Sequence, residues 1–342
     1  MIQDIREAVN SAMARLGFSG AVYLDAGDGE VLKAAAGLRD QSNLLPNQAD
    51  TRFGIASGTK TFTAAAVLSL VSAGVLRLDT EAASIIGELE TVTAGVTVER
   101  LLAHTSGVFD YYDEEEVDDF DSFEVAIPWS KLATPSDYLP LFDGRPAKFA
   151  PGERMSYSNG GYILLGIMIE RVTGRLFRDV VEELVFTPAG MSTSGFFPFN
   201  NLPENTALGY LESEPGVLES NIYQLPIRGA SDGGAYTTAG DIVKFWKALE
   251  GDTLFPQELF QAMTAPRSRF NSRYEYGLGI YIGSVAGYPM YRMSGADVGV
   301  GFDSLHIPAA GILFSVLSNR TEGASALFRE GVKQLEQALQ SA

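Results

Sequence analysis

Ser57 and Lys60 stand three residues apart at the head of FGIASGTKTFTAAAVLSL, residues 53 to 70. On a helix that spacing makes them neighbours on one face. The run after them is small and apolar, so the helix is expected to be buried. Its first turn offers unpaired N–H groups and the positive end of the helix dipole, which favour negative charge on Ser57 Oγ or on the species it attacks. A serine hydroxyl is a weak nucleophile without a base, and a lysine whose pKa is lowered by burial supplies one. The plainer reading of the pair is a capping serine and a lysine whose stem covers apolar surface.

Two further stretches carry chemistry. In PGERMSYSNGGY, Tyr157 precedes Ser158 and Asn159 just before an apolar helix. A tyrosine beside proton-sharing groups can pass a proton between nucleophile and leaving group. An asparagine two residues on points to the same side of an extended segment, where it can donate to a carbonyl and accept from a lysine. In YRMSGADVGVGF, a strand carries Ser294, Gly295 and Ala296. With no side chain at Gly295, another backbone can lie close to the strand. Taken singly, these are also a loop tyrosine with a capping asparagine, and an ordinary glycine-containing strand end.

The elements that must position these groups follow from periodicity. Ile2, Ile5, Val9, Met13 and Leu16 recur at helical spacing at the N-terminus. GAVYLDAGDGEVLKAAAGL reads as a hairpin turning at Gly27-Asp28-Gly29. The Ser57 helix runs to about Ala73 and stops at Gly74. A short helix follows Thr97, with Gly107 past its end, and Thr134-Pro135 opens another. The apolar helix from about residue 160 closes at Gly174. Thr238 and Asp241 have capping-box spacing. Residues 276–283, 288–295, 298–308 and 311–319 read as strands, and LFREGVKQLEQAL as a closing helix. Consecutive strands with short turns predict an antiparallel sheet, so the fold class is α/β of the α+β type. The terminal helices are expected on one face and the mainly helical middle on the other. The expected organisation is a single catalytic domain over 1–342, with the sheet part at about 1–55 and 235–342 and a helical insertion at about 57–234.

Composition narrows the function classes. The chain has 342 residues, 25 Lys+Arg against 43 Asp+Glu, a formal net charge of −18, two histidines and no cysteine. Thiol chemistry, disulfides and Cys-based metal sites are excluded. No metal-binding histidine pattern is present, and neither metal nor cofactor is expected. The acidic balance argues against nucleic-acid partners. No apolar run approaches the roughly 20 residues that span a bilayer. The N-terminus lacks a signal-peptide pattern. The chain is therefore expected to be cytoplasmic if it is the full native product, and extracytoplasmic if a leader was trimmed. Residues 113–124, DEEEVDDFDSFE, hold eight acids and no base. They read as a solvated loop or as a negative rim on a site.

Together and in this order, the three stretches resemble the serine β-lactamase and penicillin-binding-protein superfamily. The branch is the class C type, with family VIII carboxylesterases, DD-peptidases and D-aminopeptidases. LLAHTSGV and YGLGIYIG support the resemblance, which covers roughly residues 15–320. It implies a β-lactamase/transpeptidase-like fold and an acyl-enzyme mechanism. Ser57 would be the nucleophile, Lys60 the base and Tyr157 its partner in acylation and deacylation. Asn159 would orient the substrate. The Ser294-Gly295-Ala296 strand would line the site, with the backbone N–H groups of Ser57 and Ala296 as the oxyanion hole. His104 would be structural, and His306 a core or rim residue.

One position departs from the pattern. Where the family usually carries Lys, His or Trp, this chain has Met293, which offers neither charge nor proton. Arg292 is expected on the opposite face of the strand. The implied function is a serine hydrolase acting on a small ester, amide or peptide. The alternatives are a D-amino-acid peptidase or DD-peptidase, and a sensor or scaffold that kept the fold without turnover. Anionic substrates are expected to be disfavoured.

Overall fold

The computed structural model describes residues 2–27, 29–117 and 123–341. The expected turn at Asp28 and residues 118–122 of the acidic run lie outside the described residues.

The centre is an eight-stranded sheet, antiparallel at every pairing. In chain order its strands are β1 (Gly20–Ala26), β2 (Glu30–Ala36), β3 (Ser268–Arg269), β4 (Glu275–Tyr276), β5 (Tyr281–Val285), β6 (Tyr288–Asp297), β7 (Val300–Ile307) and β8 (Ile312–Ser318). They lie in the order β2-β1-β8-β7-β6-β5-β4-β3. The N-terminal strand thus pairs with the C-terminal one, and the whole middle of the chain is looped out between them.

Strand alternation sends side chains to two separate cores. Val22, Leu24, Met290, Leu305, Phe314 and Val316 face a layer made by α1 (Ile2–Arg15) and α5 (Gly323–Gln340). Ile5, Val9 and Met13 of α1 are buried there, while Leu16, just past the helix end, is partly exposed. Ala21, Met293, Phe302, Leu313 and Leu317 face the other core. That core holds α2 (Thr59–Ser72), α3 (Asn159–Thr173) and α4 (Ala239–Glu250). The expected division between terminal helices and middle region is the one observed.

Helix α2 is buried on all sides from Thr59 to Leu70, which its small and apolar composition permits. Helix ends fall where the caps predict. Thr97 accepts from Arg100 N–H, Thr238 accepts from Asp241 N–H, and Gly174 closes α3 in the left-handed conformation. The predicted strand over 276–283 is interrupted. Its residues 277–280 form the turn between β4 and β5, where a Cβ on Gly279 would meet Ala64 Cβ at 2.4 Å. The strands at Ser268–Arg269 and the hairpin of Tyr210–Glu214 with Val217–Ser220 lack long apolar alternation and were not expected. Among the described residues, no helix is long and apolar enough to cross a membrane.

Candidate active site

Ser57 sits in a 3-10 turn, Ala56–Gly58, that leads directly into α2. Ala56 before it holds φ 43°, a left-handed conformation that a non-glycine residue adopts only when its surroundings force it. The forcing contacts are visible. Ile55 N–H donates to Ala235 O, Thr59 Oγ1 donates to Ala56 O at 2.8 Å, and Ala235 N–H donates to Thr59 Oγ1 at 3.0 Å. The turn is thereby stitched to the segment before α4, and Ser57 is left partly exposed on its crest.

Lys60, one turn into α2, is 1% exposed. Its Nζ donates to Ser57 Oγ at 3.0 Å, Asn159 Oδ1 at 2.7 Å and the Asp232 backbone carbonyl at 2.7 Å. Those three bonds fill the donor capacity of an ammonium. Burial lowers the Lys60 pKa, and the carboxylates of Asp232, Glu114, Asp110 and Asp297 pull against it. The net direction is downward, toward a lysine able to accept the Ser57 proton.

Tyr157 closes the group from the other side. Lys60 Nζ lies 4.9 Å from the centre of its ring, and its hydroxyl is hydrogen-bonded to Ser57. Burial pushes its pKa well above 10, with Tyr281 and Glu114 adding to the effect. Tyr157 is therefore a neutral phenol, a proton donor and relay rather than a standing base. His104 supports it with its ring 4.3 Å away, tilted by 37°. His104 Nδ1 accepts from Ser158 N–H at 3.1 Å, and burial drives its pKa well below 6.5. A neutral, hydrogen-bonded histidine in the core fits the structural part expected of it.

Asn159 is fixed by its helix start. Asp110 accepts from Asn159 N–H at 2.8 Å and from Gly160 N–H at 2.7 Å, capping α3. A Cβ on Gly160 would meet Phe109 O at 2.5 Å, so the close docking of this loop requires glycine. Asn159 Nδ2 in turn donates to Tyr112 O at 2.9 Å, with Glu114 Oε1 at 3.3 Å.

The β6 strand supplies the last wall. A Cβ on Gly295 would fall 2.2 Å from Ile55 O, 2.6 Å from Gly58 N and 2.8 Å from Ser57 N. Only glycine lets this strand lie beside the Ser57 amide, and Ala296 follows it into the cavity wall. Ser294 is a correction. Alternation turns it to the far face, where its Oγ accepts from Arg292 Nη2 at 3.2 Å. Its side chain faces the terminal-helix layer and not a ligand over Ser57. Arg292 shares that face, paired with Asp303 and stacked 5.1 Å from the Phe328 ring. Met293 faces the inner core, 1% exposed, and is absent from the cavity lining. His306 is buried beside Trp246, with Nε2 at 3.2 Å from Glu250 Oε2.

Over Ser57 lies a cavity of about 320 Å³. Its lining is aromatic and acidic: Tyr111, Trp129 and Tyr236 with Glu114, Asp232, Asp297 and Glu322, and no Lys or Arg among the described lining residues. Glu114 brings the acidic run to the rim. Its neighbour Glu115 is tied away from the cavity by Lys148 at 2.9 Å and Arg154 at 3.1 Å. Asp232 was not anticipated. Its carbonyl holds Lys60, and its carboxylate accepts from Tyr111 Oη at 2.6 Å. The signal available in sequence was the glycine bracket Gly229, Gly233 and Gly234, which marks tight backbone approach. No group of side chains able to hold a metal ion occurs among the described residues.

The family model described as Beta-lactamase matches residues 5–338. The crystal structure of a penicillin-binding protein from Bacillus halodurans is 39% identical, with TM-score 0.90, covering 96% of this chain and 99% of that one. Esterase EstB of Burkholderia gladioli is 33% identical over 282 residues, 71% of this chain and 69% of that protein. A penicillin-binding protein of Bacillus subtilis (strain 168) is 28% identical over 295 residues, 82% of this chain. This chain spans 64% of that relative's length.

Proposed function

The chain belongs to the beta-lactamase family, and from that premise we propose that it is a serine hydrolase working through an acyl-enzyme on small esters or amides, with Ser57 as nucleophile. The observation that carries this reading is the 3.0 Å contact between Lys60 Nζ and Ser57 Oγ, made by a lysine whose burial disfavours its charge.

The steps follow from the positions. Unprotonated Lys60 takes the Ser57 hydroxyl proton as Oγ attacks the substrate carbonyl. The developing oxyanion lies between the backbone N–H groups of Ser57 and Ala296, donors fixed in place before reaction. As the carbonyl re-forms, the bond to the leaving group breaks. Tyr157 passes the proton from Lys60 to the departing alkoxide or amine. Water then attacks the acyl-Ser57 ester. Its proton travels by the same route to Ser57 Oγ, the acid is released, and Ser57 and Lys60 return to their starting states. Asn159 orients the substrate and, by accepting from Lys60, holds that side chain in line.

Substrates with a free carboxylate are disfavoured in this reading. Among the described lining residues no Lys or Arg is present to receive one, since Arg292 is spent on Asp303 and Met293 is in the core. This ranks neutral esters and amides above peptides that end in a carboxylate. The test is turnover of p-nitrophenyl acetate. Ser57→Ala is expected to remove it to background, and unchanged turnover in that variant would end the proposal.

A further inference from the structure

The cavity over Ser57, at about 320 Å³, is at the small end of the roughly 300–1,000 Å³ typical of ligand sites. A trough of about 720 Å³ adjoins it, formed between residues 123–130 and residues 222–227. Phe123, Trp129, Gln224 and Leu225 line both, so the two spaces share a rim.

The trough is built in a particular way. Along residues 123–130, Phe123, Val125, Ile127 and Trp129 are partly buried, while Glu124, Ala126, Pro128 and Ser130 are exposed. The segment is irregular, bending at residues 126–127 and entering a 3-10 turn at Trp129; Val125, Ile127 and Trp129 pack partly against the inner core, and with Phe123 they also line the trough. The segment belongs to none of the strand ladders. Across from it, Ile222 is 40% and Tyr223 82% exposed. Glu124 is the one charged residue among the described lining. Apolar surface left open to water beside a reaction centre marks a place where an apolar group is received.

We propose that this trough binds an extended apolar tail of the substrate, an unbranched alkyl chain that starts at the scissile ester group over Ser57, on its acyl or its alcohol side, and runs out past Trp129 and Leu225. The inference rests on the serine-hydrolase reading and adds the substrate class to it. An alkyl chain fits because the trough offers a long apolar wall and almost no charge. The acidic cavity between the trough and Ser57 also disfavours retaining a carboxylate product.

Two ester series test this below their micelle concentrations: p-nitrophenyl esters from acetate to decanoate, and acetates of alkanols of matching length. One series is expected to gain up to about fourfold in kcat/KM for each methylene that enters the trough, then level off. A gain in the first places the tail on the acyl side, and a gain in the second on the alcohol side. Ile127→Asn and Ile222→Asn are each expected to lower the long-chain to acetate ratio by about tenfold. Flat series, or a chain-length gain untouched by both substitutions, overturn the trough. Acetate turnover that needs Ser57 but ignores chain length removes the trough alone and leaves the hydrolase reading standing. If no ester is turned over, alkyl fluorophosphonates from butyl to decyl replace them. A labelling rate at Ser57 that climbs with length supports the trough, a flat rate overturns it, and no label at Ser57 overturns both readings.

Discussion

Lys60 is held between two opposed pulls. Burial drives its pKa down, while four carboxylates, Asp232 first among them, pull it up. The balance is testable because the bond from Lys60 to residue 232 goes to the backbone carbonyl, which a side-chain change preserves. Asp232→Asn removes the largest charge that stabilises the ammonium, so Lys60 loses its proton at lower pH. The rising limb of kcat/KM against pH is expected to move toward acid, and a limb that stays put or moves toward base would show that another group is the base. At this scale the sequence was legible where spacing encodes contact. Ser57 with Lys60, and Tyr157 with Asn159, do converge. Ser294 misled because its triplet was read as a unit, whereas strand alternation separates it from Gly295. Beyond the glycine bracket around residue 232, Asp232 and the strained Ala56 were not legible, since their placement depends on a loop 172 residues from Lys60 along the chain.

At the scale of elements, β6 and the turn before α2 approach until only a glycine fits between them. Gly295→Ala would force a Cβ against three backbone atoms of residues 55–58. Backbone gives way less readily than a flexible side chain, so the strand must shift away from the Ser57 amide. Overpacking of this kind costs about 1–3 kcal/mol. Displacing one oxyanion donor costs on the order of 10²–10³-fold in kcat. The expected variant folds with a lowered melting temperature and turns over at least about 10²-fold more slowly. A folded Gly295→Ala enzyme with full kcat would refute the assignment of this strand to the oxyanion hole. The longer strands and the caps were readable, because apolar alternation and capping residues act locally. The break at residues 277–280 was not, because it exists to let Gly279 pack against Ala64 of α2, a contact between distant segments.

The whole molecule carries a formal net charge of −18, and the acids lining the cavity concentrate that sign at the site. Asp297 makes the field depend on pH. Burial pushes its pKa up to about 7, with Asp232 and Glu114 nearby adding to the rise. It is largely neutral below that value and ionised above it. The preference for a neutral over a carboxylate-bearing p-nitrophenyl ester is therefore expected to grow as pH rises through 7. It should shrink at high salt for the exposed part of the field, since charges beyond about 8 Å are screened at physiological ionic strength. Asp297→Asn should flatten the pH trend, and a preference that is constant across pH in the parent protein would remove Asp297 from the account. The overall architecture was legible because the order of helices and strands left little choice of layers. The cavity's charge was half legible: the acidic run was plain, but that Glu114 alone of residues 113–116 lines it depends on Lys148 and Arg154 tying Glu115 elsewhere. The central claim is a covalent intermediate on one serine. Acid quench of the protein during turnover of a p-nitrophenyl ester, followed by intact mass and peptide mapping, tests it most directly. The account predicts one acyl group per chain, located on Ser57, and lost in Ser57→Ala. An acyl group on another residue, or product formed with no acyl-protein at any time of quenching, would contradict it.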